Sequence, residues 1–174
     1  MTSKLNDVDI EAVAGLAGHI TETPQAAQTT WSAAVRWTGG FRSEATIRDF
    51  QPTPSDEPSG LGGSDTAPNP VEQLLAALGN CLAVGYAANA TARGIAINDL
   101  RIELDGDLNL ESFLGLSPGH AGFHDIRATV SLDSSADHDA LAELHEHVLS
   151  TSPVGHTLKA SVPVTVRLSQ PARV

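Results

Sequence analysis

Residues 69 to 93, NPVEQLLAALGNCLAVGYAANATAR, restrict the fold of this chain more than any other stretch. Asn69 is placed to cap a helix. Pro70 takes the first helical position, where a missing N–H costs nothing, and Glu72 completes an Asn-x-x-Glu capping box. Val71, Leu74, Leu75, Leu78 and Leu82 then recur at helical spacing, and Gly94 follows as a stop. The pattern predicts one long helix. Alanines and glycines fill the positions between, so another backbone can approach closely, as suits a central helix covered by sheet or by a second subunit. The only cysteine, Cys81, lies three residues past Leu78 and seven past Leu74, a spacing that predicts the buried side. Its two readings are an inert core thiol, as free cysteines commonly are, and a reactive group.

The rest of the chain arranges itself around that helix. Residues 1–30 hold a short amphipathic helix after Asp9, with Ile10, Val13, Leu16 or Ala17, and Ile20 on one face, ended by Pro24 and a polar connector. Residues 31–174 read as a single domain. WSAAVRW (31–37) and FRSEATIRDF (41–50) alternate about a Gly39-Gly40 turn and predict a hairpin. Residues 51–68 are dense in Pro, Gly, Ser and Asp and predict a long surface loop. A second hairpin is expected from residues 95–110 and 123–132. A helix follows over 137–150, then a shorter one with Ser152 as cap and Pro153 at its first position, and finally a closing strand over 162–168. Hairpin, long helix, hairpin, two helices and strand make an α+β fold with antiparallel sheets, not a βαβ alternation.

Composition removes several functions. A net charge of −11 argues against a nucleic-acid or anionic-membrane partner, both of which demand a basic face. No run approaching the ~20 apolar residues of a membrane span is apparent, and MTSKLNDVDI lacks the charged and apolar regions of a signal peptide. One cysteine cannot form an intramolecular disulfide, so the expectation is a cytoplasmic protein with a reduced thiol. His138, His145 and His147 do not have the four-residue spacing of a helical metal-ligand pair, and no metal or other cofactor is expected. Glu103, Asp105 and Asp107 alternate with Ile102, Leu104 and Leu108 as a solvated strand face. Gly60, Gly62 and Gly63 lack the Gly-Lys-Ser/Thr ending of a phosphate loop, and Gly-x-Ser-x-Gly is absent.

Three segments together resemble a known family. They are LGGSDTAPNPVEQLLAALGNCL (61–82), the strand pair around IELDGDLNL and GLSPGHAGFHDI, and SPVGHTL followed by VPVTV. The pattern Pro-x-Glu-x-Leu-Leu-x-x-Leu-Gly-x-Cys is the most specific part. From Trp31 onward the chain resembles the OsmC/Ohr family of organic hydroperoxide reductases. The resemblance implies an intertwined homodimer in which long cysteine-bearing helices pack centrally against antiparallel sheets. It also implies that Cys81 attacks the peroxide. A mid-helix cysteine is beyond the reach of the helix dipole, so a cation must favour its thiolate. The resemblance implies that an arginine from the N-terminal hairpin, held by a glutamate at the start of the long helix, supplies it. Arg42 is the best match, Arg36 the second, and Glu72 matches the glutamate, although a capping role alone also explains Glu72.

One departure stands out. The resolving cysteine of the two-cysteine enzymes is matched here by Ser152. The step from Glu72 to Cys81 also resembles that of the peroxidases shortened by one residue, which turns the glutamate by about 100° relative to the thiol. Two functions follow as expectations. One is a one-cysteine peroxidase whose sulfenic acid is resolved by an external thiol, in defence against organic hydroperoxides. The other is a non-catalytic dimeric module that binds a small apolar ligand at the subunit interface.

Overall fold

The structure is a computed structural model and describes residues 4–160 and 162–169. Its axis is the predicted long helix, α2, over Pro70–Ala92. Asn69 Oδ1 accepts the Glu72 N–H at 2.9 Å and the Glu72 carboxylate accepts the Asn69 N–H at 2.8 Å, so the capping box is closed in both directions. At the other end Gly94 turns left-handed at φ +69°, and the amides of Ile95 and Gly94 return to the carbonyls of Ala90 (2.9 Å) and Thr91 (3.0 Å). That pair of hydrogen bonds is a Schellman stop, and buried Ile95 supplies its apolar contact.

The buried stripe of α2 runs through Leu78, Leu82, Tyr86 and Ala90 at steps of four. Leu144 and Val148 of α4 (His138–Thr151) meet it on one side, and the inner face of β4 (Asp99–Leu108) and β5 (Phe123–Asp133) on the other. β4 and β5 pair antiparallel, Asp99 opposite Asp133 through Leu108 opposite Phe123, with a bulge after Asp107. Leu100, Ile102, Val130 and Leu132 face the helices. On the solvated side Arg127 binds the carboxylates of Asp105, Asp107 and Asp125, as the alternation of β4 predicts. A single-turn helix, α3 (Leu110–Phe113), interrupts the connection, and α5 (Pro153–Lys159) follows α4 directly.

The N-terminal hairpin forms as β1 (Ala34–Gly39) and β2 (Arg42–Thr46), with Gly39 and Gly40 at φ +116° and +59° in the turn. A third strand, β3 (Thr53–Ser55), joins β2 from within the segment expected to be loop. This sheet leaves large apolar side chains in solvent: Val35, Phe41 and Trp37, the last 71% exposed. α1 (Ile10–Glu22) is capped by Asp9 and ends before Pro24 as expected, and its Val13 and Leu16 are likewise exposed.

Three expectations change. Cys81 is half-buried, because a step of three from Leu78 carries it to the flank of the stripe opposite Leu82. Residues 162–169 alternate in sequence but form no strand. No ladder partner meets them among the described residues, and Val164, Val166 and Leu168 are exposed, Val166 at 88%. And α2, 23 residues long, contains an 18-residue window with a mean hydropathy of 1.3, and so does reach the length and composition of a membrane span. Its glycine and alanine content hid this in the sequence. Its stripe through Leu82, Tyr86 and Ala90 is buried against α4, β4 and β5.

Candidate functional site

The site lies between α2 and the junction of α4 with α5. Gly85 allows α4 in close, since a Cβ there would meet Val148 Cγ1 at 3.0 Å. Around that contact lies an open cleft of about 400 Å³. Cys81, Val84 and Ala88 form one wall and Val148, Ser152 and Pro153 the other, so the cleft is mostly apolar with the thiol as its nucleophilic group.

Ser152 links the two walls. As cap of α5 its Oγ accepts the Gly155 N–H at 3.1 Å, and the same Oγ lies 3.3 Å from Cys81 Sγ. The contact joins residues 71 apart in sequence. Sequence reasoning found Ser152 as a helix cap and as the match to a resolving cysteine. It did not find the contact, which needs α4 to turn sharply into α5 beside the middle of α2.

The other expected site residues stand apart from the thiol in this chain. Glu72 is engaged in the capping box at the start of α2. Arg42 donates through Nη1 to Ser64 Oγ at 3.1 Å, and Arg36 pairs with Glu44 at 3.0 Å on the exposed hairpin. Ser64 in turn belongs to a loop organised by a buried carboxylate. Asp56, 1% exposed, accepts the amides of Glu57 (2.9 Å), Ser64 (3.2 Å) and Thr66 (3.2 Å) and the Thr66 hydroxyl (2.8 Å). Burial pushes this carboxyl up. The Thr66 hydroxyl and the three amides outweigh burial, so the group lies below the usual carboxylate range. The expected loop is therefore a folded knot that presents Ser64 to Arg42, and nothing in its Pro-Gly-Ser composition distinguishes Asp56 as its centre.

On the far side of α2 the Tyr86 hydroxyl hydrogen-bonds His145 Nδ1. Burial pushes the Tyr86 phenol up, keeping it neutral. His145 thus has a partner within the core, in keeping with its spacing from His147.

The family model for OsmC-like proteins matches residues 62–167, which include the capped helix, Cys81 and Ser152. Solved structures share the fold at low identity. An OsmC-like protein from Mycoplasma pneumoniae superposes with a TM-score of 0.65 at 19% identity, covering 76% of this chain and 89% of that one. An organic hydroperoxide resistance protein OsmC from Legionella pneumophila gives 0.56 at 16%, covering 76% and 92%. One from Elizabethkingia anophelis, an organic hydroperoxide resistance protein, gives 0.56 at 15%, covering 76% and 91%. No curated protein matches the chain in sequence.

Proposed function

The chain belongs to the OsmC-like protein family, and from that premise we propose that it reduces organic hydroperoxides through Cys81, with an external small thiol as reductant. The observation that carries this reading is the position of Cys81 Sγ, half-buried on an open, largely apolar cleft and in contact with a hydroxyl. An organic hydroperoxide has an apolar body and one weak O–O bond, and this cleft offers a surface for the first and a nucleophile for the second.

In the proposed reaction the Cys81 thiolate attacks one peroxide oxygen. An S–O bond forms as the O–O bond breaks, and the leaving alkoxide takes a proton and departs as an alcohol. Sulfur has lost two electrons and is a sulfenic acid. A first thiol condenses with it, releasing water and leaving a mixed disulfide. A second thiol attacks that disulfide, freeing Cys81 and carrying the electrons' deficit away as its own disulfide. Ser152 supplies no second sulfur, so both thiols come from outside. Val84, Ala88 and Pro153 hold the apolar body of the substrate.

A homodimer is part of the proposal. Val35, Trp37 and Phe41 on the N-terminal sheet and the exposed Val164, Val166 and Leu168 are covered if a second copy packs against them. Arg42 of that copy then becomes a source of the cation that favours the thiolate. The test compares wild type with Cys81→Ser, using cumene hydroperoxide and a small thiol, and traps sulfenic acid with dimedone. Turnover and a trapped adduct only in wild type support the enzyme. Absence of both assigns the apolar cleft to the second reading, a binding module in which Cys81 is structural.

A further inference from the structure

We infer that Ser152 is a hydrogen-bond donor to the Cys81 thiolate, so that the residue standing where a resolving sulfur is expected activates the thiol. This rests on Cys81 being the reactive group of the cleft. The direction of the bond follows from an accounting of Ser152. Its hydroxyl has one proton to give and two lone pairs, and the residue is only 5% exposed. The Gly155 N–H occupies the oxygen as acceptor at 3.1 Å. The proton needs a partner, because a buried unpaired donor is costly. Among the described residues the only acceptor within reach is Cys81 Sγ, at 3.3 Å. Donation to sulfur favours the form that accepts best, and that is the thiolate. The Gly155 N–H reinforces the effect, since an oxygen that accepts a hydrogen bond gives up its own proton's charge more readily to the next acceptor.

Geometry makes the bond persistent. Ser152 is fixed on both sides, as the last turn of α4 ends at Thr151 and Pro153 starts α5 with its φ locked. Capping α5 and holding Cys81 use different parts of one hydroxyl, so neither interaction displaces the other. This gives the thiol a source of stabilisation inside its own chain.

The experiment measures the rate of Cys81 alkylation by iodoacetamide against pH in wild type, Ser152→Gly and Ser152→Thr. Glycine is well tolerated at a helix N-cap, so Ser152→Gly removes the donor while leaving α5 formed. The rate at pH 7 is expected to fall roughly tenfold or more, with the whole profile displaced to higher pH, because hydrogen bonds to charged groups are the strong ones. Ser152→Thr, which keeps the hydroxyl, restores the profile. A Ser152→Gly profile that superposes on wild type, or a displacement that Ser152→Thr does not reverse, overturns the inference. The alkylation profile is independent of turnover. A wild type that reduces no hydroperoxide yet shows the displacement defeats the peroxidase reading alone. Active wild type without displacement defeats this inference alone.

Discussion

Glu72 and Cys81 stand on opposite faces of α2. Nine positions separate them, which on an ideal helix is about 13.5 Å along the axis and half a turn around it. An arginine anchored on Glu72 has no direct route to the thiol on the same helix. The two features that the family resemblance joins in one site are therefore apart within a single chain. Ser152 is the group that touches sulfur.

The first prediction concerns assembly. Light scattering at micromolar concentration is expected to return twice the chain mass of 18.1 kDa. Val166→Asp, placed on the most exposed apolar segment, shifts the population to monomer. A monomer mass for wild type removes the proposed interface.

The two hairpin arginines separate by reactivity. If Arg42 reaches a thiolate across the dimer, Arg42→Ala slows alkylation of Cys81 at pH 7 by about tenfold, the effect of losing one nearby opposite charge. Arg36→Ala, which loses only an exposed pair with Glu44, leaves the rate within about twofold. The reverse order of effects transfers the role to Arg36.

Ser152→Cys tests whether the cleft retains the geometry of a two-cysteine site. A disulfide is about 2.05 Å long, so the new sulfur has to close the present 3.3 Å by roughly 1.3 Å. Peroxide treatment is expected to give an intramolecular disulfide and turnover with a dithiol such as dithiothreitol. Wild type instead accumulates sulfenic acid, and excess peroxide drives it on to the sulfinic form. A double-cysteine protein that stays as two thiols under peroxide counts against the site geometry.

Asp56 makes the knot of residues 56–66 sensitive to acid. Its carboxyl is held below the ordinary value, so its stabilisation is fully present above the unfolded-state value of about 3.9 and is lost as pH falls through the lower folded value. Urea unfolding is expected to show Asp56→Asn less stable than wild type at pH 7, with the gap closing below about pH 4. A gap that stays constant down to pH 2 assigns the effect to something other than the charge.

Asn6→Ala removes three hydrogen bonds at once. The Asn6 amide donates to Thr91 Oγ1 at 3.0 Å and to the Ile95 carbonyl at 2.9 Å, and its oxygen accepts the Ile97 N–H at 2.9 Å. The substitution is expected to cost about 1–3 kcal/mol, since part-buried groups are left without partners. Equilibrium unfolding checks it, and a loss under about 0.5 kcal/mol means that water replaces the amide there.

Local signals carried most of the fold. Asn69, Pro70, Glu72 and Gly94 delimit α2 because caps act within a few residues of themselves, and the alternation of β4 and β5 needs only one buried face to be legible. What the sequence concealed is long-range. Val162 to Leu168 has a strand's alternation, yet a strand exists only with a ladder partner, and pattern does not say where that partner is. The Cys81–Ser152 contact depends on how α4 crosses α2, which Gly85 sets through Val148 and no periodicity records. Asp56 gathers its four donors from residues 57, 64 and 66 in a segment without any repeat.

Asn6 also imposes an order of events during synthesis. It leaves the ribosome before any of its partners, and the last of them, the Ile97 amide, lies 91 residues later. At roughly 5–20 residues per second the interval is on the order of 5–20 s. Through that time the Asn6 amide has none of these partners to hold. The segment is thus secured long after it is made, and its left-handed backbone at Asn6 and Asp7 is fixed only when the end of α2 has emerged to receive it.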